Sequence, residues 1–157
     1  MKKITLMVVA AFAISLTACK KEETVVTPPT LYERLGGVNA ISAVVDQFIT
    51  NVASNPKMVR TFKPLLDDVG KNGANSAKLI ALRTNLINQI GEASGGPQKY
   101  TGKDMKTAHT GMKITDDEFG SLVGNLVDAL DKFKVAATEK DPLLGVLGGM
   151  KGMIVGQ

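Results

Sequence analysis

A chain of 157 residues with 44% hydrophobic and 22% charged residues is long enough for one domain with a substantial core. Its formal net charge of +4 includes Lys2 and Lys3, so the rest of the chain carries too little charge to indicate nucleic-acid binding. Because tryptophan is absent and no basic run is interleaved with aromatic residues, we predict no nucleic-acid partner.

The N-terminus has the pattern of an export signal. Two lysines precede an apolar run over residues 4–16, which is too short to span a bilayer as a helix and is typical of a secretory signal. The run ends in Leu16-Thr17-Ala18-Cys19, which resembles the lipobox of bacterial lipoproteins. The resemblance implies a signal peptide over residues 1–18 and a lipid on Cys19 after cleavage. An ordinary secreted protein and an uncleaved anchor are the alternatives.

Cys19 is the only cysteine of the chain. An unpaired thiol is a reactive liability in an exported protein, so its position beside small residues favours acylation over a disulfide, metal or nucleophilic role. Lys20 follows the cysteine, and this residue does not resemble an inner-membrane retention signal. The sequence therefore predicts a lipid anchor in the bacterial cell envelope, on the periplasmic face of the outer membrane. Residues 19–30 contain Pro28-Pro29 and no apolar helical face, so we interpret them as a tether and residues 31–157 as the folded domain.

The first half of the domain has three helical patterns separated by breaks. Thr30 caps a short turn, and after two glycines a helix is predicted over residues 39–52. A weaker pattern over residues 58–69 leads to a predicted loop over residues 70–75, after which Ser76 caps another helix. Apolar residues recur every three or four positions in each pattern: Ile41, Val44, Val45, Phe48 and Val52, then Met58, Phe62, Leu65, Leu66 and Val69, then Leu79, Leu82, Leu86 and Ile90.

The second half continues with helices and no strand pattern. A break at Ser94-Gly95-Gly96-Pro97 precedes a short helix that begins at Asp104. Thr115 and Glu118 form a capping box for a helix with the longest apolar stripe, and Asp141-Pro142 begins a last helix. The short helix places Met105, Ala108, His109 and Met112 on one face. The sequence therefore predicts an all-α fold.

His109 is the only histidine, and this limits the chemistry that the chain supports. A catalytic zinc needs several nitrogen or carboxylate ligands, and no paired-cysteine or His-Glu-x-x-His spacing occurs. The motifs for covalent c-type haem, Cys-x-x-Cys-His, and for a serine hydrolase, Gly-x-Ser-x-Gly, are also absent. One neutral imidazole is enough for a b-type haem, whose porphyrin supplies four nitrogens. The alternative is a hydrogen-bonded histidine in the core.

Two parts of the chain resemble the group I truncated haemoglobins. The region around that family's haem-bearing histidine is similar to a segment with Gly95-Gly96-Pro97, Tyr100-Thr101-Gly102, Met105, Ala108-His109, Gly111-Met112 and Ile114. The family's opening segment is similar to Leu31-Tyr32-Glu33-Arg34-Leu35-Gly36-Gly37, and Asp46-Gln47-Phe48 with Phe62 falls at similar spacing. The resemblance implies a truncated globin fold, which is a 2-on-2 helical sandwich, and haem b with its iron held by His109.

The resemblance also implies a haem pocket with apolar walls around His109. Leu82 and Leu86 are expected opposite the imidazole, and Phe62 is expected at the haem edge. The other expected pocket residues are Tyr100, Met105, Met112, Ile114, Phe119 and Val123. The lysines of this region either meet the haem propionates or face solvent: Lys99, Lys103 and Lys106.

The chain departs from the family on the side where a gas ligand binds. The family commonly has a tyrosine on the helix after the Gly-Gly break, but here Phe48 is followed by Ile49. The family also commonly has a polar residue on the facing helix, where this chain has Leu82 and Leu86. Because a hydrogen bond to a charged group is worth about 1.5–3 kcal/mol, these residues predict weak oxygen binding and better retention of CO and NO. Four residues would supply a donor if the helix were rotated or a side chain swung in: Lys78, Arg83, Asn85 and Gln89.

Two functions follow from this reading. The resemblance implies a membrane-tethered haem protein that binds the diatomic gases O2, NO and CO as a carrier, scavenger or sensor. Nitric oxide dioxygenation, which is known in the family, would need stabilised oxygen and a reductant that the sequence does not identify. The alternative is a haem-free helical adaptor lipoprotein of the envelope, which would be colourless.

Overall fold

The computed structural model describes residues 27–157, so the predicted signal peptide over residues 1–18, Cys19 and most of the tether lie outside the described residues. Within the described range the chain forms helices, and the only β-type contact there is an isolated bridge between Ile114 and Val155. None of the helices in this part of the chain is both long and apolar enough to cross a membrane. The all-α prediction is confirmed.

Seven α-helices follow one another along the described residues. Their bounds are α1 Leu31–Arg34, α2 Gly37–Ser54, α3 Val59–Asn72, α4 Ala77–Ala93, α5 Met105–His109, α6 Asp116–Lys132 and α7 Ala137–Met150. Thr30 and Thr115 each accept a hydrogen bond from the backbone N–H three residues on, and Glu33 and Glu118 accept one from the cap residue's own N–H. These two capping boxes begin α1 and α6 where the sequence predicts a cap.

Helix α2 lies at the centre of the domain. It packs against α4 and against α6, and α7 packs against both α4 and α6. Helices α2, α4, α6 and α7 therefore form two layers of two. Ile41 and Val45 of α2 contact Ile87 of α4, and Phe48 belongs to the buried cluster that contains Leu130 of α6. Each such side chain contributes about 1.5–3 kcal/mol when it is fully buried, so the burial of α2 against α4 and α6 stabilises the domain.

Helix α3 is longer than the sequence predicts. It continues through Asn72, and a 3₁₀ turn occupies the remainder of the predicted loop. The Asp68 carboxylate accepts hydrogen bonds from the Asn72 side chain at 2.9 Å and from the Ser76 hydroxyl. The pKa of Asp68 lies below its ordinary value, chiefly because of the Ser76 hydroxyl. These bonds hold the last turn of α3 against the start of α4, so the loop prediction is wrong for residues 70–72.

Helix α7 begins one turn earlier than predicted. Its first residue is Ala137 rather than Asp141, and Pro142 lies inside the helix. Two ion pairs hold the additional turn, one between Arg34 and Glu139 at 3.2 Å and one between Lys140 and Asp131. Proline is disfavoured inside a helix because it donates no hydrogen bond. The ion pairs with Arg34 of α1 and Asp131 of α6 stabilise the additional turn of α7 despite Pro142.

The C-terminus lies along the loop that follows α5. The Gly156 N–H donates to the Ile114 carbonyl at 2.9 Å, and the Lys113 N–H donates to the Gln157 carbonyl at 2.5 Å. Beside these bonds Ile114, Phe119 and Ile154 form a buried cluster. The loop that leaves His109 is therefore fixed by the end of the chain and by the start of α6.

Candidate functional site

His109 is the last residue of α5 and is half-buried. Its Nδ1 lies 2.6 Å from the backbone carbonyl oxygen of Met105. A carbonyl oxygen only accepts hydrogen bonds, so Nδ1 carries the proton and donates it. In the neutral ring, Nε2 is therefore left with a free lone pair, which is the form in which histidine binds a metal.

His109 lines a cavity of about 320 Å³, within the range of roughly 300–1,000 Å³ for small-molecule and cofactor sites. The structure brings nine of the ten predicted site residues to this cavity: Phe62, Leu82, Leu86, Tyr100, Met105, His109, Met112, Ile114 and Phe119. Val123 is the exception. It packs against the cluster of Ile114, Phe119 and Ile154, while the preceding residue, Leu122, lines the cavity.

Several cavity residues were not predicted as site residues. Six of them lie on the predicted apolar stripes: Phe48, Met58, Leu122, Leu147, Met150 and Ile154. The others complete the wall: Thr61, Asn85, Gln89, Ala108 and Glu118. Helical periodicity identifies a buried face, but it does not show which part of that face borders a cavity. The sequence indicates Asn85 and Gln89 only as possible hydrogen-bond donors to a gas ligand, and Glu118 only as half of a capping box.

Helix α4 presents both leucines and amides to the cavity. Leu82, Asn85, Leu86 and Gln89 all line it, since positions i, i+3, i+4 and i+7 share one helical face. The two expected leucines thus share the cavity wall with Asn85 and Gln89, two of the residues named from the sequence as possible donors. Arg83 instead donates to Asp46 at 2.6 and 2.9 Å, and neither Arg83 nor Lys78 lines the cavity.

Tyr100 is held at the cavity by two hydrogen bonds. Its hydroxyl donates to the Lys103 carbonyl at 2.6 Å, and its backbone N–H donates to Glu92 at 2.9 Å. The second bond is the main reason why the pKa of Glu92 lies below its ordinary value. A Cβ on Gly102 would lie 2.6 Å from the Tyr100 ring, so a residue without a side chain lets the ring lie against this turn. Lys99 pairs with Glu92 at 3.2 Å, and the three lysines of this region are exposed and do not line the cavity.

Glu118 is the one carboxylate among the side chains that line the cavity. Arg60 donates from Nε to Glu118 Oε1 at 2.7 Å and from a second nitrogen to Oε2. The Thr61 hydroxyl donates at 3.1 Å and the Thr115 backbone N–H at 2.9 Å. These donors, Arg60 first, lower the pKa of Glu118 from 4.5 to about 2, so this carboxylate is ionised at neutral pH.

Arg60 also binds the loop that follows His109. It donates to the Met112 carbonyl at 3.0 Å and to the Lys113 carbonyl at 3.1 Å. Lys113 has a φ of +49°, in the left-handed region that a non-glycine residue adopts rarely. The Arg60 guanidinium therefore connects α3, α6 and the loop beside the candidate ligand in one hydrogen-bonded group.

The cavity fits haem, the group expected from the sequence. Haem needs one axial nitrogen and apolar walls from the protein, because the porphyrin supplies the other four nitrogens. His109 provides such a nitrogen, and most of the lining side chains are apolar. In the described part of the chain, no group of three or more His, Cys, Asp or Glu residues is placed to hold a free metal ion. One axial nitrogen among apolar walls suits a metal that arrives with most of its ligands, as the iron of haem does.

Comparisons with known proteins agree with this geometry. The family of bacterial-like globins matches residues 30–155. Over 120 residues the chain is 31% identical to the group 1 truncated hemoglobin GlbN of Mycolicibacterium paratuberculosis, which covers 76% of this chain and 79% of that protein. It is also 31% identical over 109 residues to the group 1 truncated hemoglobin of Tetrahymena pyriformis, over 69% of this chain and 79% of that protein.

Solved structures show the same fold. The Fe(III) form of truncated hemoglobin from Tetrahymena pyriformis aligns with a TM-score of 0.70 at 25% identity, over 82% of this chain and 100% of that chain. The 2/2 hemoglobin of a Synechococcus species, solved with covalently attached heme, aligns with a TM-score of 0.68 at 22% identity, over 82% and 100% of the two chains. The second likeness concerns the fold alone.

Proposed function

This chain belongs to the bacterial-like globin family, among the group 1 truncated haemoglobins, and on this basis we propose that it binds diatomic gases at a haem iron held by His109. Gas binding and the haem iron cofactor follow from the family. The identity of the ligand residue rests on one observation. The His109 side chain lines the cavity and donates from Nδ1 to the Met105 carbonyl. The other ring nitrogen, Nε2, keeps its lone pair, which supports it as the axial ligand.

The surrounding residues have defined roles in this proposal. The Met105 carbonyl orients the imidazole and makes Nε2 a stronger donor to a metal. Phe62, Leu82 and Leu86 provide apolar wall on which a porphyrin is stabilised by burial. When bound, the haem supplies an iron atom with one remaining position for a gas molecule. Gas is thereby bound reversibly as a carrier, scavenger or sensor would require.

Haem titration tests this proposal. Purified protein is expected to bind one haem per chain, with an intense absorption band in the blue region that shifts when the iron is reduced and exposed to CO. The measurement is absorbance against added haem, compared with haem in buffer alone. A titration whose absorbance matches that of haem in buffer alone would contradict the proposal and favour the haem-free adaptor.

We also propose that the globin domain is tethered to the envelope through lipid on Cys19. The support is the lipobox-like Leu16-Thr17-Ala18-Cys19 and the first helix of the domain, which begins at Leu31. Each buried methylene of an acyl chain adds about 0.8 kcal/mol of membrane-binding free energy. A protein that carries several acyl chains would therefore stay on the outer membrane.

Replacing the modified thiol tests the tether. In a bacterial host supplied with labelled palmitate, Cys19→Ser is expected to carry no label, because no acyl chain can be attached. Thr17→Ser, which keeps a small hydroxyl residue before the cysteine, is the matched control and is expected to carry the label. Equal labelling of the two variants would show that Cys19 does not bear the lipid.

A further inference from the structure

We propose that Arg60 is a positioning residue for the axial ligand. Its guanidinium fixes the loop after His109 to helix α3, and this restraint slows the loss of haem. The inference rests on the proposed function. Arg60 does not itself line the cavity, so it acts through the residues that it binds, which are Met112, Lys113 and Glu118.

The short helix that carries His109 needs support from the rest of the domain. Helix α5 has five residues, and a helix of this length is not stable by itself in water. Its hydrogen bonds are local: His109 Nδ1 donates to the Met105 carbonyl at 2.6 Å, and the Thr107 N–H donates to Asp104 at 2.9 Å. These bonds shape the turn, but they do not fix its place relative to the other helices.

Apolar packing holds the same segment without a defined direction. The side chains of Met105 and Met112 lie against the buried cluster of Ile114, Phe119 and Ile154. Burial of apolar surface is non-directional, and methionine side chains adapt readily to altered surroundings. Hydrogen bonds depend on both distance and angle, so they restrict the position of this segment more narrowly.

Arg60 supplies such hydrogen bonds from helix α3. Its Nη1 donates to the Met112 carbonyl at 3.0 Å, and its Nη2 donates to the Lys113 carbonyl at 3.1 Å. The Met112 N–H in turn donates to the His109 carbonyl at 3.0 Å. Two hydrogen bonds through one residue therefore connect the guanidinium with the backbone of the candidate ligand.

Glu118 keeps the guanidinium in this orientation. It accepts from Arg60 Nε at 2.7 Å and also from Nη2, and Thr61 and Thr115 hold the carboxylate in place. Four of the five N–H hydrogens of the guanidinium are thus used. A planar arginine fork can bind a carboxylate and two carbonyls at once, whereas the lysine ammonium is a compact charge on a flexible stem.

The restraint joins two parts of the cavity wall. Arg60 directly precedes Thr61 and Phe62 on α3, and both of these side chains line the cavity. His109 and Met112 line it from α5 and the loop that follows. Because haem needs the axial nitrogen and the apolar wall together, a fixed arrangement of these two parts slows its release.

Arg60→Met tests the proposal, since methionine keeps an unbranched chain and removes every donor. Haem is expected to pass from this variant to an excess of a haem-scavenging apoprotein about tenfold faster, the lower end of the effect for residues that orient metal ligands. The iron–histidine stretching band of the ferrous protein, measured by resonance Raman scattering, is expected to broaden because the ring samples more orientations. Arg60→Lys keeps the charge beside Glu118 without the fork and is expected to lose haem nearly as fast.

Hydrogen exchange measures the restraint on the loop directly. In the haem-loaded protein, the Met112 N–H is expected to exchange faster in Arg60→Met, because its hydrogen bond to His109 opens more often. Arg34→Met is the matched control. Arg34 also donates to a glutamate, Glu139, at 3.2 Å and to a backbone carbonyl, that of Pro29, at 2.9 Å, but neither partner lines the cavity. This control should leave haem loss, the Raman band and Met112 exchange unchanged.

The outcomes separate this inference from the proposed function. If the unmodified chain binds haem and either Arg60 variant retains it equally long, Arg60 does not position the ligand. Faster haem loss with an unchanged Raman band and unchanged Met112 exchange would make Arg60 a general stabiliser of the fold, and the inference would be wrong. Should Arg60→Met fail to fold, Arg60→Lys decides by the same measurements. If the unmodified chain binds no haem, the proposed function fails as well.

Discussion

His109→Ala is expected to abolish stable haem binding. The chain contains no other histidine, and the cavity wall offers no second nitrogen base. Loss of a residue that only orients a metal ligand already costs about 10–100-fold in metal affinity, so loss of the ligand itself should weaken haem binding by more than about hundredfold. The check is a haem titration that follows the absorption band of the unmodified protein.

Two controls separate loss of the ligand from loss of the fold. Far-ultraviolet circular dichroism should show unchanged helix content in His109→Ala, because the imidazole makes one internal hydrogen bond in the described structure. Added imidazole is expected to restore the absorption band by entering the space that the truncated side chain leaves. Lys106→Ala, an exposed change on the same short helix, should bind haem normally. Full haem binding by His109→Ala without imidazole would refute the assignment of the ligand.

Glu118→Ala is expected to destabilise the fold more than an ordinary change of an exposed charged residue. The Glu118 side chain is only 11% exposed, while that of Arg60 is 54% exposed. Removing the carboxylate leaves the buried Thr61 hydroxyl and the Thr115 N–H without their acceptor. A buried hydrogen-bonding group without a partner costs about 1–3 kcal/mol, and because Arg60 is solvent-exposed the ion pair itself adds little to this loss. Urea unfolding at neutral pH measures the difference.

The pH dependence of this loss has a definite sign. The folded-state pKa of Glu118, about 2, lies below its ordinary value of 4.5, so the carboxylate stabilises the fold fully above pH 4.5. As the pH falls from 4.5 towards 2, the unfolded chain takes up the proton first, and this contribution is lost. The difference in unfolding free energy between the unmodified protein and Glu118→Ala should therefore shrink over that range.

Asp117→Ala is the matched control, because it removes a carboxylate one residue earlier in the same helix. Asp117 pairs with Lys57 at 3.1 Å, but both side chains are mostly exposed, and such pairs contribute little. Its unfolding free energy should stay close to that of the unmodified protein. If the two variants lose equal stability, or if the Glu118→Ala difference is independent of pH, the Arg60–Glu118 group does not stabilise the fold.

Much of the helical structure was predictable because its causes lie within a few residues. The capping box of Thr115 and Glu118 closes within one turn, and the apolar stripe of α2 from Ile41 to Val52 repeats every three or four positions. The sole histidine likewise limits, on sequence alone, the metal sites that the chain can form. The prediction of the globin family is confirmed by residues spread along most of the chain.

The remaining features depend on how distant segments meet. Arg60 and Glu118 are 58 residues apart, so no local pattern indicates that they pair. Asn85 and Gln89 border the cavity together with Leu82 and Leu86 because packing against α2 and α3 sets the rotation of α4. Local spacing shows which residues share a face of a helix. The three-dimensional packing of all the helices is required to decide which part of that face borders a cavity, and hence which side chain can contact a ligand.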